Sequence, residues 1–336
     1  MSVRQRKICK EELNNLNSTV SVTMGKKGKR STGAGGNTAK QGPGKARRER
    51  TTALREIETR IEDLVEKLKD EVKNVALFGP LIPREECPIC FVPMPRREDQ
   101  ISYKACCGKH ICEACNRHSI ETCVKTAIGD NQRLQWHCPF CRSGSVLWND
   151  EESIEGIQKR VLANDLDAML YLSGDYEDGS PLFEKDDIAA IRLQLQAAGS
   201  GYPKAIARLA DRCFEGGSAV PRNFVYALHL ANTAARKGYV PAYSLLGAML
   251  KDTTDAMLKK KITADGSELL VAKCFQFAAR DGDKVGMECL DKLKKEGTIF
   301  GIDINDVKRQ YKEALMMEWS EEREKVNPDY YKELSL

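Results

Sequence analysis

The residues of this sequence that could carry chemistry are its cysteines. Nine of the thirteen cysteines lie between residues 87 and 141. Eight of them form four pairs: Cys87 with Cys90, Cys106 with Cys107, Cys112 with Cys115, and Cys138 with Cys141. A two-residue spacer lets one tight turn present both sulfurs of a pair to a single metal ion. Because a structural zinc ion takes four Cys or His ligands, eight cysteines predict two zinc ions.

Metal binding explains these pairs better than disulfide formation does. The first twelve residues carry charges but no apolar segment of a signal peptide. No apolar run reaches the roughly 18 to 20 residues that span a bilayer. We therefore expect a cytoplasmic or nuclear protein without membrane contact, in a reducing compartment where paired cysteines bind metal. Zinc would also stabilise a segment too short for a large hydrophobic core.

The order of the cysteine pairs resembles that of the RING finger family. RING fingers have a first Cys pair, a centre of the form Cys-Gly-x-x-hydrophobic-Cys-x-x-Cys, and a final Cys-Pro-x-Cys followed by Arg, as in residues 107–115 and 138–142 here. The resemblance implies the cross-brace of that family, in which zinc one would be held by Cys87, Cys90, Cys112 and Cys115. Zinc two would be held by Cys138, Cys141 and two ligands from the centre.

The centre departs from the family pattern at one position. Common RING fingers have Cys-Gly-His there, whereas this chain has Lys109, and a protonated lysine cannot bind zinc. Three residues compete for the missing ligand position: Cys106, His110 and His137. We favour Cys106 together with Cys107, which resembles the all-cysteine RING variants, and we keep His110 as the alternative ligand.

The other residues of this region have simpler explanations. Cys123 and His118 fit packing and surface positions on a short helix from about Asn116 to Ile128. A zinc module of another type, such as paired ribbons or a PHD-like finger, is the competing interpretation of the cysteines.

The resemblance also implies roles for residues outside the cysteine pairs. RING fingers hold a ubiquitin-charged conjugating enzyme and position its ubiquitin for attack by a substrate lysine, without a covalent intermediate. By position, Ile89 and Pro139 would contact the conjugating enzyme, and Arg142 would bridge it to ubiquitin. Turn shape alone would also explain these residues. Ser119 lies near a position where many active members carry an aromatic residue, so an active ligase and a non-enzymatic finger both fit the sequence.

The chain before the finger divides into a basic tail and a helix. Residues 1–51 carry thirteen Lys or Arg and three Glu without any hydrophobic period, which predicts a disordered tail. Its basic clusters at residues 26–30 and 45–50 fit nuclear localisation, transient nucleic-acid contact or neither. Residues 52–76 have apolar side chains spaced by three or four, which predicts an amphipathic helix that docks on its own chain.

An internal repeat occupies the chain after residue 150. A small residue four positions before a leucine recurs at spacings of 37, 37 and 44 residues, at Ala168, Ala205, Ala242 and Gly286. The motif Ala-Ala-x-x-Gly recurs in the same register and ends at Gly201, Gly238 and Gly282. Each unit therefore contains two helices, and the glycines fit C-terminal caps with positive φ.

Repeats of this length and texture resemble Sel1-like repeats, which are relatives of the tetratricopeptide fold. The resemblance covers residues 151–300, with its best copy at residues 203–239 and a degenerate third copy whose turn becomes a polar loop at residues 251–266. Such arrays bind proteins or peptides on a concave surface. Three cysteines in this half fit core packing rather than chemistry: Cys213, Cys274 and Cys289.

Residues 301–336 would close the array. A helix from about Asn305 to Lys325 is predicted to cap its open end. The apolar face of this helix would contain Val307, Tyr311, Leu315 and Trp319.

Together these patterns predict a mainly α protein. A small cross-brace, RING-like zinc finger with two zinc ions, at residues 84–146, would precede an α-solenoid of Sel1-like helix pairs. Our first hypothesis is a RING-type E3 ubiquitin ligase that pairs with a ubiquitin-conjugating enzyme and recruits a protein substrate through its repeats. The alternative is a non-enzymatic zinc-binding scaffold for protein–protein interaction. Nucleic acid is a weaker candidate partner, because the basic surplus belongs to the tail rather than to a folded face.

Overall fold

Helices dominate the protein, whose computed structural model describes residues 43–129, 137–143, 151–179, 183–252, 267–299 and 301–334. The helices of this part of the chain are α1 (Pro43–Val72), α2 (Glu113–Gly129), α3 (Glu151–Leu162), α4 (Leu166–Asp178), α5 (Asp187–Gly199), α6 (Pro203–Glu215), α7 (Phe224–Arg236), α8 (Pro241–Asp252), α9 (Ser267–Arg280), α10 (Lys284–Lys295), α11 (Ile304–Glu318), α12 (Glu321–Val326) and α13 (Pro328–Tyr331). Short 3-10 turns cover Glu98–Gln100 and Lys332–Leu334. None of these helices combines the length and the apolar character that crossing a membrane requires. The predicted fold class, mainly α, is confirmed.

The helix before the finger begins earlier and ends earlier than predicted. Pro43 opens α1, where its fixed φ suits a first helical turn and its missing N–H leaves no bond unmade. Residues 43–51, which we predicted as part of the disordered tail, are therefore helical, and residues 1–42 lie outside the described part. At its other end α1 stops at Val72, four residues before the predicted end, and Val75 beyond it is exposed.

The apolar face of α1 packs on the repeat array. Ile57, Ile61 and Leu68 are at most 2% exposed and belong to the same core cluster as the repeat helices. Polar contacts flank this face: Arg192 pairs with Glu56 at 2.9 Å, and Lys237 pairs with Glu71 at 3.0 Å. The expectation that this helix docks on its own chain is confirmed.

The repeat array runs from α4 to α11, and each helix packs against the next along the chain. The small residues of the first repeat motif are all buried, and so are the leucines four positions later: Leu172, Leu209, Leu246 and Leu290. Gly201, Gly238 and Gly282 have φ of 82°, 83° and 88°, which confirms the predicted caps. The polar loop predicted for the third copy falls largely on residues 253–266, outside the described residues.

The cysteines of the repeat array are packing residues. Cys213 and Cys274 have no exposed surface, and burial raises the pKa of each thiol to about 12. Cys289 is partly buried, and burial also raises the pKa of its thiol. These thiols therefore stay protonated near neutral pH, which agrees with the predicted role in the core.

The predicted capping helix is interrupted. Val307, Tyr311 and Leu315 are buried on α11 as expected, but α11 ends at Glu318 and α12 begins at Glu321. Trp319 lies between the two helices in extended conformation and is 39% exposed, so its prediction as a buried face residue was wrong. The break arises because Ser320 caps α12 through a hydrogen bond from the Arg323 N–H.

The linker between α1 and the finger crosses the inter-repeat turns. The Tyr243 hydroxyl donates to the Leu77 carbonyl at 2.7 Å, and Phe78 stacks on the Tyr243 ring. Further along, Ile82 lies so close to Gly238 that a methyl group there would be 2.7 Å from Cγ1 of Ile82. Gly238 therefore serves two purposes, since it provides the positive φ of the cap and the space for the linker.

A pair of strands anchors the finger to the first repeat. Strands β1 (Ile101–Lys104) and β2 (Lys109–Cys112) pair antiparallel. The hydroxyl of Tyr103 in β1 donates to Asp165 at 2.8 Å, and Arg160 pairs with the same carboxylate at 2.9 Å. Asp165 also caps α4, so one side chain connects the finger, α3 and the repeat array.

We expect the substitution Gly238→Ala to destabilise the protein by about 1–3 kcal/mol, because the new methyl group meets Ile82 and the backbone keeps its positive φ. The free energy of unfolding from urea titration measures this loss. Gly217→Ala is the matched control, since no atom lies within 4 Å of a methyl group there. Equal stability of the two variants would contradict the account of the linker contact.

Candidate metal centre

The two outer cysteine pairs form tight turns with the same backbone hydrogen bonds. The Phe91 N–H donates to the Cys87 carbonyl at 2.8 Å, and the Arg142 N–H donates to the Cys138 carbonyl at 3.0 Å. The residue after each pair has positive φ, 57° at Phe91 and 56° at Arg142. Each turn thus folds around its two sulfurs in the way that metal-binding turns require.

The hairpin delivers a third pair to the first turn. Cys112 is the last residue of β2, and Cys115 lies in the first turn of α2. The Sγ atoms of Cys90 and Cys112 are 3.9 Å apart. We call tetrad one the four cysteines whose Sγ atoms lie within 4.8 Å of one another here: Cys87, Cys90, Cys112 and Cys115.

The second group combines the hairpin turn with the final pair. Cys106 and Cys107 lie in the turn between β1 and β2, and the Sγ atoms of Cys107 and Cys138 are 3.7 Å apart. We call tetrad two the cysteines whose Sγ atoms lie within 4.8 Å of one another here: Cys106, Cys107, Cys138 and Cys141.

The alternative histidine ligands lie elsewhere. Nε2 of His110 is 3.8 Å from Oδ1 of Asp167, and the His110 ring packs against Tyr103. His137 is exposed and does not join either tetrad. The structure therefore places the favoured pair, Cys106 and Cys107, beside Cys138 and Cys141, and it places neither histidine there.

Both tetrads have the dimensions of a tetrahedral metal site. With metal–sulfur bonds of about 2.3 Å, the sulfurs of a tetrahedron lie about 3.8 Å apart. The two Sγ–Sγ distances, 3.9 Å and 3.7 Å, agree with that edge length. An all-sulfur set of four suits zinc or iron rather than magnesium or calcium. Each tetrad can therefore hold one metal ion.

The thiols of each tetrad cannot all ionise without a cation among them. Hydrogen bonds from Cys112 and Cys115 hold the pKa of Cys87 far below its usual range, and the same contacts raise the pKa of Cys115. In tetrad two, partial burial and the contacts with Cys138 and Cys141 raise the pKa of Cys106 to about 12. One thiolate in a tetrad thus keeps its neighbours protonated, a conflict that a bound divalent cation removes.

The tetrads differ in accessibility. In tetrad one Cys87 and Cys112 are at most 1% exposed, whereas in tetrad two Cys106 and Cys141 are exposed. A buried lysine, Lys104, lies beside tetrad two and donates to the Asn116 side chain. Burial lowers the pKa of Lys104, while the thiols of Cys138 and of the hairpin turn oppose that shift.

The predicted contact residues lie on the surface of the two turns. Ile89 is 38% exposed on the first turn, and Pro139 and Arg142 are exposed on the second. Phe91, next to the first turn, is 72% exposed, and the sequence interpretation missed it. The sequence feature that could have identified Phe91 is its position: it directly follows Cys90, as Arg142 directly follows Cys141 in the final pair.

A cleft of about 740 Å³ separates the finger from the repeats. The cations in its wall are already paired: Arg84 with Glu318, Arg96 with Asp281, and both Lys204 and Arg208 with Glu98. Asp175 and Asp178 have no cationic partner among the described residues. Burial and the neighbouring Asp178 raise the pKa of Asp175. The cleft wall thus has an excess of negative charge.

A scan against protein-family models and a search of curated proteins both gave no match. Among solved structures, the chain is similar to c5321, a protective antigen of uropathogenic Escherichia coli strains displaying an SLR fold, with 21% identity and a TM-score of 0.39. That match covers 54% of this chain and 40% of that protein. A Sel1 repeat protein from Oxalobacter formigenes has 22% identity and a TM-score of 0.34, over 42% of this chain and 98% of that protein.

We expect thiol-reactive probes to modify Cys141 of tetrad two before tetrad one. Cys141 is exposed while Cys87 and Cys112 are buried, and although burial opposes the shift, hydrogen bonds with Ser143 lower the pKa of the Cys141 thiol to about 6. Alkylation of the native protein for increasing times, followed by peptide mass spectrometry, measures the order. Cys213, which is buried in the repeats, is the internal control for unfolding. Modification of Cys87 at the same rate as Cys141 would contradict this prediction.

Proposed function

We propose that the protein is a RING-type E3 ubiquitin ligase whose two tetrads bind zinc. The observation that carries this proposal is the alternation of the cysteine pairs: the first and third pairs form tetrad one, and the second and fourth form tetrad two. That interleaving is the arrangement that the RING resemblance implies, whereas paired zinc ribbons would combine neighbouring pairs. Zinc would supply the structure of the finger and no chemistry on the substrate.

The exposed side chains of the two turns support the proposal that a conjugating enzyme binds there. Ile89 and Phe91 present apolar surface that the finger does not bury, and Pro139 is exposed on the other turn. Arg142 is exposed beside Pro139, where its cation is available to a bound ubiquitin. In this proposal the finger accelerates transfer by holding the charged enzyme in one orientation, which is catalysis by positioning.

We propose further that the Sel1-like repeats recruit the substrate through the cleft beside the finger. The cleft contains ring surface from Tyr171, Tyr202 and Tyr239 and the carboxylates of Asp175 and Asp178, which have no cationic partner in the part of the chain that the structure describes. Aromatic faces and carboxylates together favour a cationic ligand. The substrate class that fits is a protein with an exposed segment rich in Lys or Arg.

The substitution Ile89→Ala is expected to lower autoubiquitination at least about tenfold, because a central apolar contact of an interface is worth roughly 1.4 kcal/mol or more. Val225→Ala is the matched control, since Val225 is an exposed apolar residue of the repeats. Metal content should remain at two zinc ions per chain in both variants. An active Ile89→Ala variant would contradict the proposed contact.

The wild-type assay separates the two functional classes. Zinc-loaded protein that is silent with every conjugating enzyme of a panel would overturn the ligase proposal and support the non-enzymatic scaffold. Protein without zinc would overturn the metal assignment itself.

Reversing the charge of the cleft should remove substrate modification without affecting the finger. We expect the double variant Asp175→Lys with Asp178→Lys to retain autoubiquitination and to lose most signal on a protein array probed for ubiquitin transfer. Glu184→Lys, an exposed carboxylate outside the cleft, is the control. An unchanged array pattern in the double variant would place the recruitment surface elsewhere.

A further inference from the structure

A buried arginine from the C-terminal end of the chain reaches tetrad one. Arg323 in α12 is 2% exposed, and its Nη2 lies 3.6 Å from Sγ of Cys90 and 3.2 Å from the Val92 carbonyl. Its Nη1 donates to the carbonyls of Pro93 and Glu318, each at 2.7 Å. One guanidinium therefore joins the first metal turn to the end of the repeat array, across 233 positions of sequence.

The charge of Arg323 needs a negative partner, because burying an unpaired cation is costly. The carboxylate of Glu318 pairs with Arg84 at 2.7 Å, and Nη1 of Arg323 donates to the backbone carbonyl of Glu318. The sulfur of Cys90 faces the guanidinium, 3.6 Å from Nη2 of Arg323. Tetrad one is thus the anionic partner of this arginine.

Metal binding would make that partnership stronger. Four thiolates around one divalent ion leave a net charge of about −2 on the site, and hydrogen bonds to ligand sulfurs stabilise such charge. Tetrad two has a different neighbour, Lys104, which belongs to the finger itself. Only tetrad one, among the described residues, contacts the end of the chain.

We infer that Arg323 is a positioning residue of tetrad one and couples metal binding there to the docking of α12. The guanidinium holds the backbone from Cys90 to Pro93 in place, next to the surface that Ile89 and Phe91 present. Coupling of this kind is reciprocal: bound metal stabilises the C-terminal segment, and the docked segment strengthens metal binding. The inference rests on the zinc part of the proposed function and is independent of ubiquitin transfer.

The test compares Arg323→Met with Lys325→Met, an exposed cation two positions away in the same helix. The variants are titrated with a zinc chelator, and the cysteines released at each step are alkylated and identified by mass spectrometry. In Arg323→Met we expect tetrad one to bind zinc about 10- to 100-fold more weakly, with tetrad two unchanged. Arg323→Lys should recover part of the loss, because it restores the charge but not the two-pronged geometry.

A second measurement uses the wild-type chain, so it does not depend on the folding of a variant. Amide hydrogen exchange is followed across residues 321–334 before and after chelation, with α6 as the internal control. Faster exchange at residues 321–334, together with faster exchange in the finger and unchanged exchange in α6, is the expected result. Unchanged exchange there, or equal zinc affinity of tetrad one in Arg323→Met and Lys325→Met, would overturn the inference. A chain that binds no zinc would instead overturn the proposed metal sites.

Discussion

Four cysteine sulfurs within 4.8 Å of one another are the constraint on which the finger depends. Four thiolates at that distance repel one another, and four thiols gain little from their contact, so the arrangement is favourable only around a cation. The backbone of the finger brings these sulfurs together: the two tight turns contribute two sulfurs each, the hairpin three and the start of α2 one. In the described part of the finger, the buried apolar cluster is small and surrounds tetrad one: it contains Cys87, Met94, Ile111, Cys112 and Ala114.

The repeat array supplies the rigidity that so small a region lacks. Tyr103 reaches Asp165, Glu98 pairs with Lys204 and Arg208, and the linker before the finger crosses the glycine turns of the repeats. These contacts come from different repeats, so they fix the orientation of the finger as well as its attachment. In the proposed function, this fixed orientation would hold a conjugating enzyme on the finger at a constant angle to a substrate on the repeats.

Features with a short spacing were predictable from the sequence. Cysteine pairs, helical periodicity and the glycine caps depend on residues within one turn or one repeat, and the positive φ of Gly201, Gly238 and Gly282 followed directly. Cys106 and Cys107, the pair that we favoured, also join tetrad two, because both residues lie in the same hairpin turn. Errors occurred at element ends, where capping decides: Pro43 lengthened α1, and Ser320 ended the predicted capping helix before Trp319.

The sequence by itself determined the cysteine pairs and the two-helix repeat, since the chemistry of each lies in residues near one another along the chain. Only the tertiary structure decided that His110 faces Asp167, that the wall of the cleft has an excess of carboxylates, and that Arg323 lies against Cys90. Each of these contacts joins residues more than fifty positions apart or sums charges from several elements. Such proximity depends on how complete helices pack, and no local pattern of residue types records it.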